Sequence, residues 1–350
     1  MTTDALWRLS ATEVVAALRT GELQPKEVIQ VAIARIESTD GVVNALPIRC
    51  FEHALDQAQS FSPSSDPRHL AGLPIAVKDY NDIGGVRTTY GSPIYAENVP
   101  ANSDATVAIL ESRGAIPIAK SNVPEWAGGH TFNPVNGLTR NPWNTGRSAG
   151  GSSGGSGAAL ASGQIWLATG NDLGGSLRTP AGFNGVVGLR PGPGVVPRGK
   201  RLQAFDTLWV EGPMARNVAD VALMLDAGAG HHPDDPFSFD APSSFVAALE
   251  GPGKPARVAF SPDLGVVPMS REVREVADKA VQQLTGAGVD VTSDIPDFSG
   301  ALDGFQTLRA VLLGTMMGEL LESERDRITE DIVGNVERGF DVTPEKLFAA

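Results

Sequence analysis

The sequence predicts an α/β fold, a largely parallel sheet covered by helices on both faces. Two observations carry this. The apolar runs in the middle of the chain are short and continuous, as strands buried on both faces are. They take turns with stretches of helical periodicity, the order expected of β-α-β units. Neither a low-complexity linker nor an internal repeat separates these stretches, so a single domain over residues 1–350 is expected.

The chain opens on two amphipathic helices, within about residues 9–60. Ser10 and Glu13 suit a capping box, Val14, Val15 and Leu18 follow, and Gly21 stops the run. Pro25 starts the second helix, whose Val28, Ile29, Ala32, Ile33 and Ile36 read as plain packing against a larger body. A core follows over about residues 70–230. In it LPIAVK from Leu73 reads as a buried strand, Ser103 to Arg113 as a helix ending at Gly114, and IPIAK as the next strand. QIWLATG and VVGLR resemble strands and NVADVALMLD a helix; beyond a polar, Pro-rich loop from His231 to Ser244 come RVAF, SREVREVADKAVQQL and VDVTS as strand, helix and strand. Near the end, Thr343 and Pro344 have the character of an N-cap and first helical position with 7 residues left. That feature fits a short terminal helix and an early stop equally.

Composition narrows the function. A net charge of −13 and pI near 4.8 argue against a nucleic-acid footprint, which needs clustered Lys and Arg to displace counterions. Cys50 is the only cysteine, so an internal disulfide, a CxxC redox centre and a thiolate zinc site are all excluded. The N-terminus lacks a basic segment followed by an apolar run, and no stretch has the length and apolarity of a membrane span. A cytoplasmic chain, neither secreted nor membrane-bound, is the expectation.

The richest segment is GRSAGGSSGGSGAALASG, Gly146 to Gly163. A flexible linker would have this composition, but this segment leads straight into GAALA and a buried strand. A phosphate loop would need a Lys-Ser/Thr pair after the glycines, which is missing. Gly150 to Gly154 also matches GxSxG, with Ser152 as the nucleophile of a Ser-His-Asp triad. Such an elbow requires a preceding strand, whereas NPWNTGRSA is turn-like, and the histidine pair His231 and His232 sits in a polar loop. Downstream, in ATGNDLGGSLRTPAG, a strand runs into two glycines, a serine and a helix start. The backbone N–H groups of Leu173, Gly174, Gly175 and Ser176 could converge there on a developing negative oxygen. On this segment alone, a tight strand-to-helix turn explains the residues as well.

Taken together, LPIAVKD at Leu73 to Asp79, GGSSGGS at Gly150 to Ser156 and GNDLGGSLRTPA at Gly170 to Ala181 resemble the amidase signature family. The intervals agree with its Ser-Ser-Lys triad: 74 residues from Lys78 to Ser152 and 24 from Ser152 to Ser176. The likeness continues through TRNPWN and VEGPMARNVADVALML and covers nearly the whole chain. It implies a largely parallel, mixed central sheet, with Ser176 attacking an amide carbonyl, Ser152 relaying the proton and Lys78 as the base. A lysine can be that base only when neutral, which burial promotes. The resemblance further implies a cis Gly151–Ser152 peptide bond, a Ser153 hydrogen bond near the lysine, an Asp172 that stiffens the turn by accepting backbone donors, and an Arg178 paired with a nearby carboxylate. No metal and no cofactor are implied.

This sequence departs from the family pattern in two ways. Asn171 stands where the family usually has threonine before the aspartate, and members usually run well over a hundred residues further. With the helix start at Pro344, the second point favours a chain that lacks its C-terminal portion. Three functions follow from the resemblance: an amidase for small or aryl carboxylic amides, the glutaminase subunit of a tRNA-dependent amidotransferase, or an inactive truncated homologue. The expected partner is a small-molecule amide, with no direct nucleic-acid or membrane contact; a homodimer is allowed.

Overall fold

The local signals at the N-terminus shape the chain as their chemistry dictates. Ser10 accepts from the Glu13 N–H while the Glu13 carboxylate accepts from the Ser10 N–H, capping the helix Ala11–Thr20; Gly21, at φ 76°, ends it. Pro25 opens the helix Pro25–Val43, whose Val28, Ile29, Ala32 and Ile36 are buried. The computed structural model describes residues 3–200, 203, 206–251 and 253–350.

Among the described residues, six strands form the central sheet: β1 (Ile48–Arg49), β2 (Pro74–Lys78), β3 (Ile116–Ser121), β4 (Leu167–Asp172), β5 (Val187–Gly188) and β6 (Val210–Ala215), in the order β1-β3-β2-β4-β6-β5. Every residue of β2, β3, β4 and β6 is buried. Since successive side chains point to opposite faces, both faces are covered. The sheet is mixed. β3, β2 and β4 run parallel, while β1, β6 and β5 join antiparallel. Parallel pairing is thus confined to the strands linked through the helices Ala105–Ser112 and Gly154–Ala161, because a parallel neighbour requires a crossover. The chain passes from β2 to β3 on one side and returns to β4 on the other. The carboxyl ends of β2 and β4 therefore lie side by side, where open α/β sheets place their ligands.

RVAF and VDVTS form strands as their composition suggests, but outside this sheet. Arg257–Phe260 and Asp290–Ser293 pair in parallel with each other around the helix Arg271–Gly286. A β-α-β unit can satisfy its inner strand edges by its own pairing. The helices Ala301–Glu324 and Glu330–Phe340 then pack as a hairpin. Met317, Leu321, Ile328, Ile332, Val333 and Val336 make a second apolar cluster, against which Ile94 and Trp126 also pack. Thr329 N–H donates to Glu125 Oε2 at 2.9 Å, so the hairpin is tied to the loop after β3. Among the described residues no helix is long and apolar enough to cross a membrane.

Asp220, at the start of the helix Val218–Gly228, is fully buried and holds two helix starts together. Its carboxylate accepts from Ala11 N, Thr12 N and Thr12 Oγ1 at 2.9 Å each and from Asn217 Nδ2 at 2.8 Å. Asp220→Ala strands these donors and is expected to cost about 2–4 kcal/mol, read as a lower urea midpoint. An unchanged midpoint would contradict this latch.

Candidate active site

β2 ends on Lys78, whose side chain has no solvent exposure. Its Nζ donates to Ser152 Oγ at 2.7 Å and to Asn171 Oδ1 at 2.6 Å, and lies 4.9 Å from the Tyr80 ring centre. The backbone fixes where the side chain starts, since Lys78 N donates to Thr169 Oγ1 on β4 at 2.8 Å. Parallel strands thus bring a lysine and an asparagine 93 residues apart into contact.

Ser152 arrives from the glycine-rich segment. The Gly151–Ser152 peptide bond is cis, and Gly150 has φ 74°. A Cβ on Gly151 would lie 2.1 Å from Gly129 O, so only glycine fits there. The helix Gly154–Ala161 follows directly and is buried. Before it, NPWNTGRSA is more ordered than a turn: Asn144–Ser148 pairs with Arg140–Asn141 in an exposed hairpin. This hairpin has its own two-stranded sheet, so Ser152 does not stand at the end of a buried strand of the central sheet.

β4 delivers the second serine. Asp172, buried at its end, accepts from Gly175 N at 2.7 Å, Leu177 N at 3.1 Å and Arg178 Nε and Nη2 at 3.0 Å each, with Arg190 as a further cation at 3.4 Å. Burial alone would raise the Asp172 pKa, but Arg178 and the two N–H groups hold it below the usual carboxylate value. The turn carries Ser176 to the cavity wall, half-buried, with its hydroxyl unbonded to any described residue. Ser153 links the two serine segments: its N–H donates to Ser176 O at 3.3 Å and its Oγ to Asn171 O at 3.5 Å.

The four amides read as an oxyanion cradle separate into two groups. Gly175 N–H is taken by Asp172, because the carboxylate that stiffens the turn needs it. Those of Leu173, Gly174 and Ser176 have no acceptor among the described residues. His231 and His232 stay in the polar loop, and no histidine bonds either serine among the described residues.

Burial lowers the Lys78 pKa from the ordinary lysine value of 10.5 to about 7, although Glu211 and Asp172 nearby favour its charged form. Glu211 is buried on β6, and burial raises its pKa in turn, against Arg198, the Trp209 indole and Lys78. Its Oε1 accepts from Trp209 Nε1 at 2.9 Å. Both shifts favour the neutral forms.

Residues 27–336 match the sequence profile of the family described as Amidase. The chain belongs to the amidase signature family. It is 37% identical over 305 residues to an acylamidase of Rhodococcus erythropolis, covering 85% of this chain and 64% of that protein. It is likewise 37% identical over 288 residues to a glutamyl-tRNA(Gln) amidotransferase subunit of a Cyanothece species, covering 81% of this chain and 60% of that one. The chain therefore spans less than two thirds of these relatives' length. Among solved structures, a bacterial aryl acylamidase of the amidase signature family superimposes with a TM-score of 0.88 at 27% identity, over 97% of this chain and 74% of that one.

On this amidase scaffold the paired serines line a cavity of about 450 Å³. Tyr80, Tyr90, Trp126, Trp209 and Phe305 supply its aromatic walls, and Tyr90 stacks on Trp126 with ring centres 5.5 Å apart. Phe305, Gln306, Arg309, Leu313, Met316 and Met317 line it from one helix. The family motifs contain none of these wall residues, although Tyr80 directly follows LPIAVKD. The helical spacing from Phe305 to Met317 was the available signal, and by itself it reads as packing.

Between about pH 7 and 10.5 the unfolded chain holds a proton on Lys78 that the folded chain lacks. Folding stability should therefore rise with pH through that window and fall back toward pH 7. Lys78→Met removes this slope. The stability of the native sequence relative to this variant should grow between roughly pH 7 and pH 9.5, as compared by urea unfolding; a constant difference would argue against a depressed lysine.

Proposed function

We propose that this chain hydrolyses a carboxylic amide to the acid and ammonia or an amine, through an acyl-enzyme on Ser176. The observation that carries the reading is the 2.7 Å hydrogen bond between the buried Lys78 Nζ and Ser152 Oγ, with the lysine pKa drawn down to about 7. A serine hydroxyl is a weak nucleophile until a base removes its proton. Neutral Lys78 takes the Ser152 proton as Ser152 takes that of Ser176, and Ser176 Oγ adds to the carbonyl carbon. The N–H groups of Leu173, Gly174 and Ser176 receive the oxyanion, with Asp172 and Arg178 keeping their turn rigid. The amine leaves with the proton returned through Ser152. Water, activated by the same relay, then releases the acid and restores Ser176. The scheme uses neither metal nor cofactor.

The names of the relatives support amide chemistry, and 37% identity to an amidotransferase subunit favours free glutamine as a second candidate substrate. A panel of aryl and alkyl amides that includes glutamine separates the two readings. A fluorophosphonate probe with peptide mapping is expected to label Ser176, and absence of label on the folded chain would count strongly against the scheme. Lys78→Ala and Ser152→Ala should each lower kcat by about 10²–10⁴-fold, whereas replacing both His231 and His232 by alanine should not. With chemistry rate-limiting, kcat/KM should rise with pH through about 7 as Lys78 loses its proton. A profile that is flat there would sink the lysine base.

A further inference from the structure

Among the described residues, one cation lines the cavity. Arg309 lines it four residues beyond Phe305, on the same helix. The Phe305 ring lies over the oxyanion turn: a Cβ on Gly174 would meet its Cζ at 2.9 Å. A rise of about 1.5 Å per residue puts Arg309 roughly 6 Å further along the helix axis. Tyr90, Trp126, Trp209, Leu313, Met316 and Met317 give the rest of the wall an apolar and aromatic character.

Among the described residues Arg309 lines the cavity without a carboxylate partner. Elsewhere Arg190 meets Asp172, Arg198 meets Asp206, and Arg113 donates to the carbonyls of Asp226, Ala227 and Ala229. Among the described residues Arg309 makes a single hydrogen bond, from Nη1 to Asn335 Oδ1 at 2.9 Å. Arg338 donates to that same oxygen at 2.7 Å, so two guanidinium groups share one neutral acceptor, and neither forms an ion pair with a described carboxylate. Burial and the nearby Arg338 both work against the charge of Arg309. A guanidinium left with free donors beside a second cation is complementary to a planar anion, which it can bind by paired hydrogen bonds. Gln306, on the same wall, adds a neutral amide.

We propose that Arg309 is the anion-binding end of the substrate cavity, and that the substrate is an amide joined through one apolar or aromatic spacer to a carboxylate. The inference rests on the amidase reading of Ser176 for its scissile end, but the anion site can be tested without turnover. The spacer stacks among Trp126, Trp209 and Phe305 while Arg309 sets how far the amide reaches toward Ser176.

Phenylacetamide and 4-carboxyphenylacetamide differ only in the carboxylate. The native chain should favour the carboxylated amide by about tenfold in kcat/KM, through KM. Arg309→Gln should bring the ratio to about one, and Arg309→Lys, which keeps the charge without the fork, should retain part of it. In Ser176→Ala, calorimetry should show 4-carboxyphenylacetamide binding that weakens about tenfold when Arg309→Gln is added. Arg309-dependent binding without turnover of either amide would overturn the hydrolysis reading and leave this one standing. Equal kcat/KM for the two amides, or anion binding indifferent to Arg309→Gln, would overturn the anion site itself.

Discussion

A lysine kept out of water at the end of a central strand is the constraint on which the site depends. Leaving an ammonium in such a place without compensation costs several kcal/mol, so the protein must neutralise it or surround it with acceptors. Both responses are present. Lys78 gives its donors to Ser152 Oγ and Asn171 Oδ1, and its pKa falls to about 7. The same burial that makes the lysine costly makes it available as a base near neutral pH, so the energetic burden and the proposed chemistry share one cause.

That burial rests on the sheet. β2 lies between β3 and β4, with all of its residues covered, and its last residue faces the serines only because β4 runs parallel beside it. The glycines serve the same end by close approach. Gly151 sits against the Gly129 carbonyl, and Gly155 against Asn122, where an added Cβ would lie 2.2 Å from the backbone nitrogen. A side chain at either position would push Ser152 away from Lys78. Asp172 plays the corresponding part on β4: by taking the Gly175 and Leu177 N–H groups it shapes the turn that carries Ser176. It also removes Gly175 from the donors that a reading of the motif alone would count.

The cavity is assembled from parts that differ in kind. Its floor belongs to motif segments near the sheet. Its walls come from aromatic side chains on loops and from the helix Ala301–Glu324, held in place by the second apolar cluster and by the Glu125–Thr329 hydrogen bond. Catalytic groups need fixed mutual geometry, which strands buried on both faces can supply; walls that select a substrate can vary without disturbing that geometry.

Much of this was legible in the sequence. Continuous apolar runs alternating with helical periodicity determined an α/β fold, and Ser10, Gly21, Pro25 and Thr343 marked helix ends correctly, because caps and breakers act over a few residues. Lys78, Ser152 and Ser176 could be put in one candidate site because three motifs in fixed order resemble those of the amidase signature family, which supplies the contact that each segment alone leaves open. Tertiary structure alone decided the rest. Sheet pairing determined that parallel strands occupy only the middle and that Arg257–Phe260 and Asp290–Ser293 stand apart, because which edges meet depends on contacts distant in sequence. Whether an amide such as that of Gly175 is free, and whether an arginine such as Arg309 has a partner, depends on what packs beside it in space.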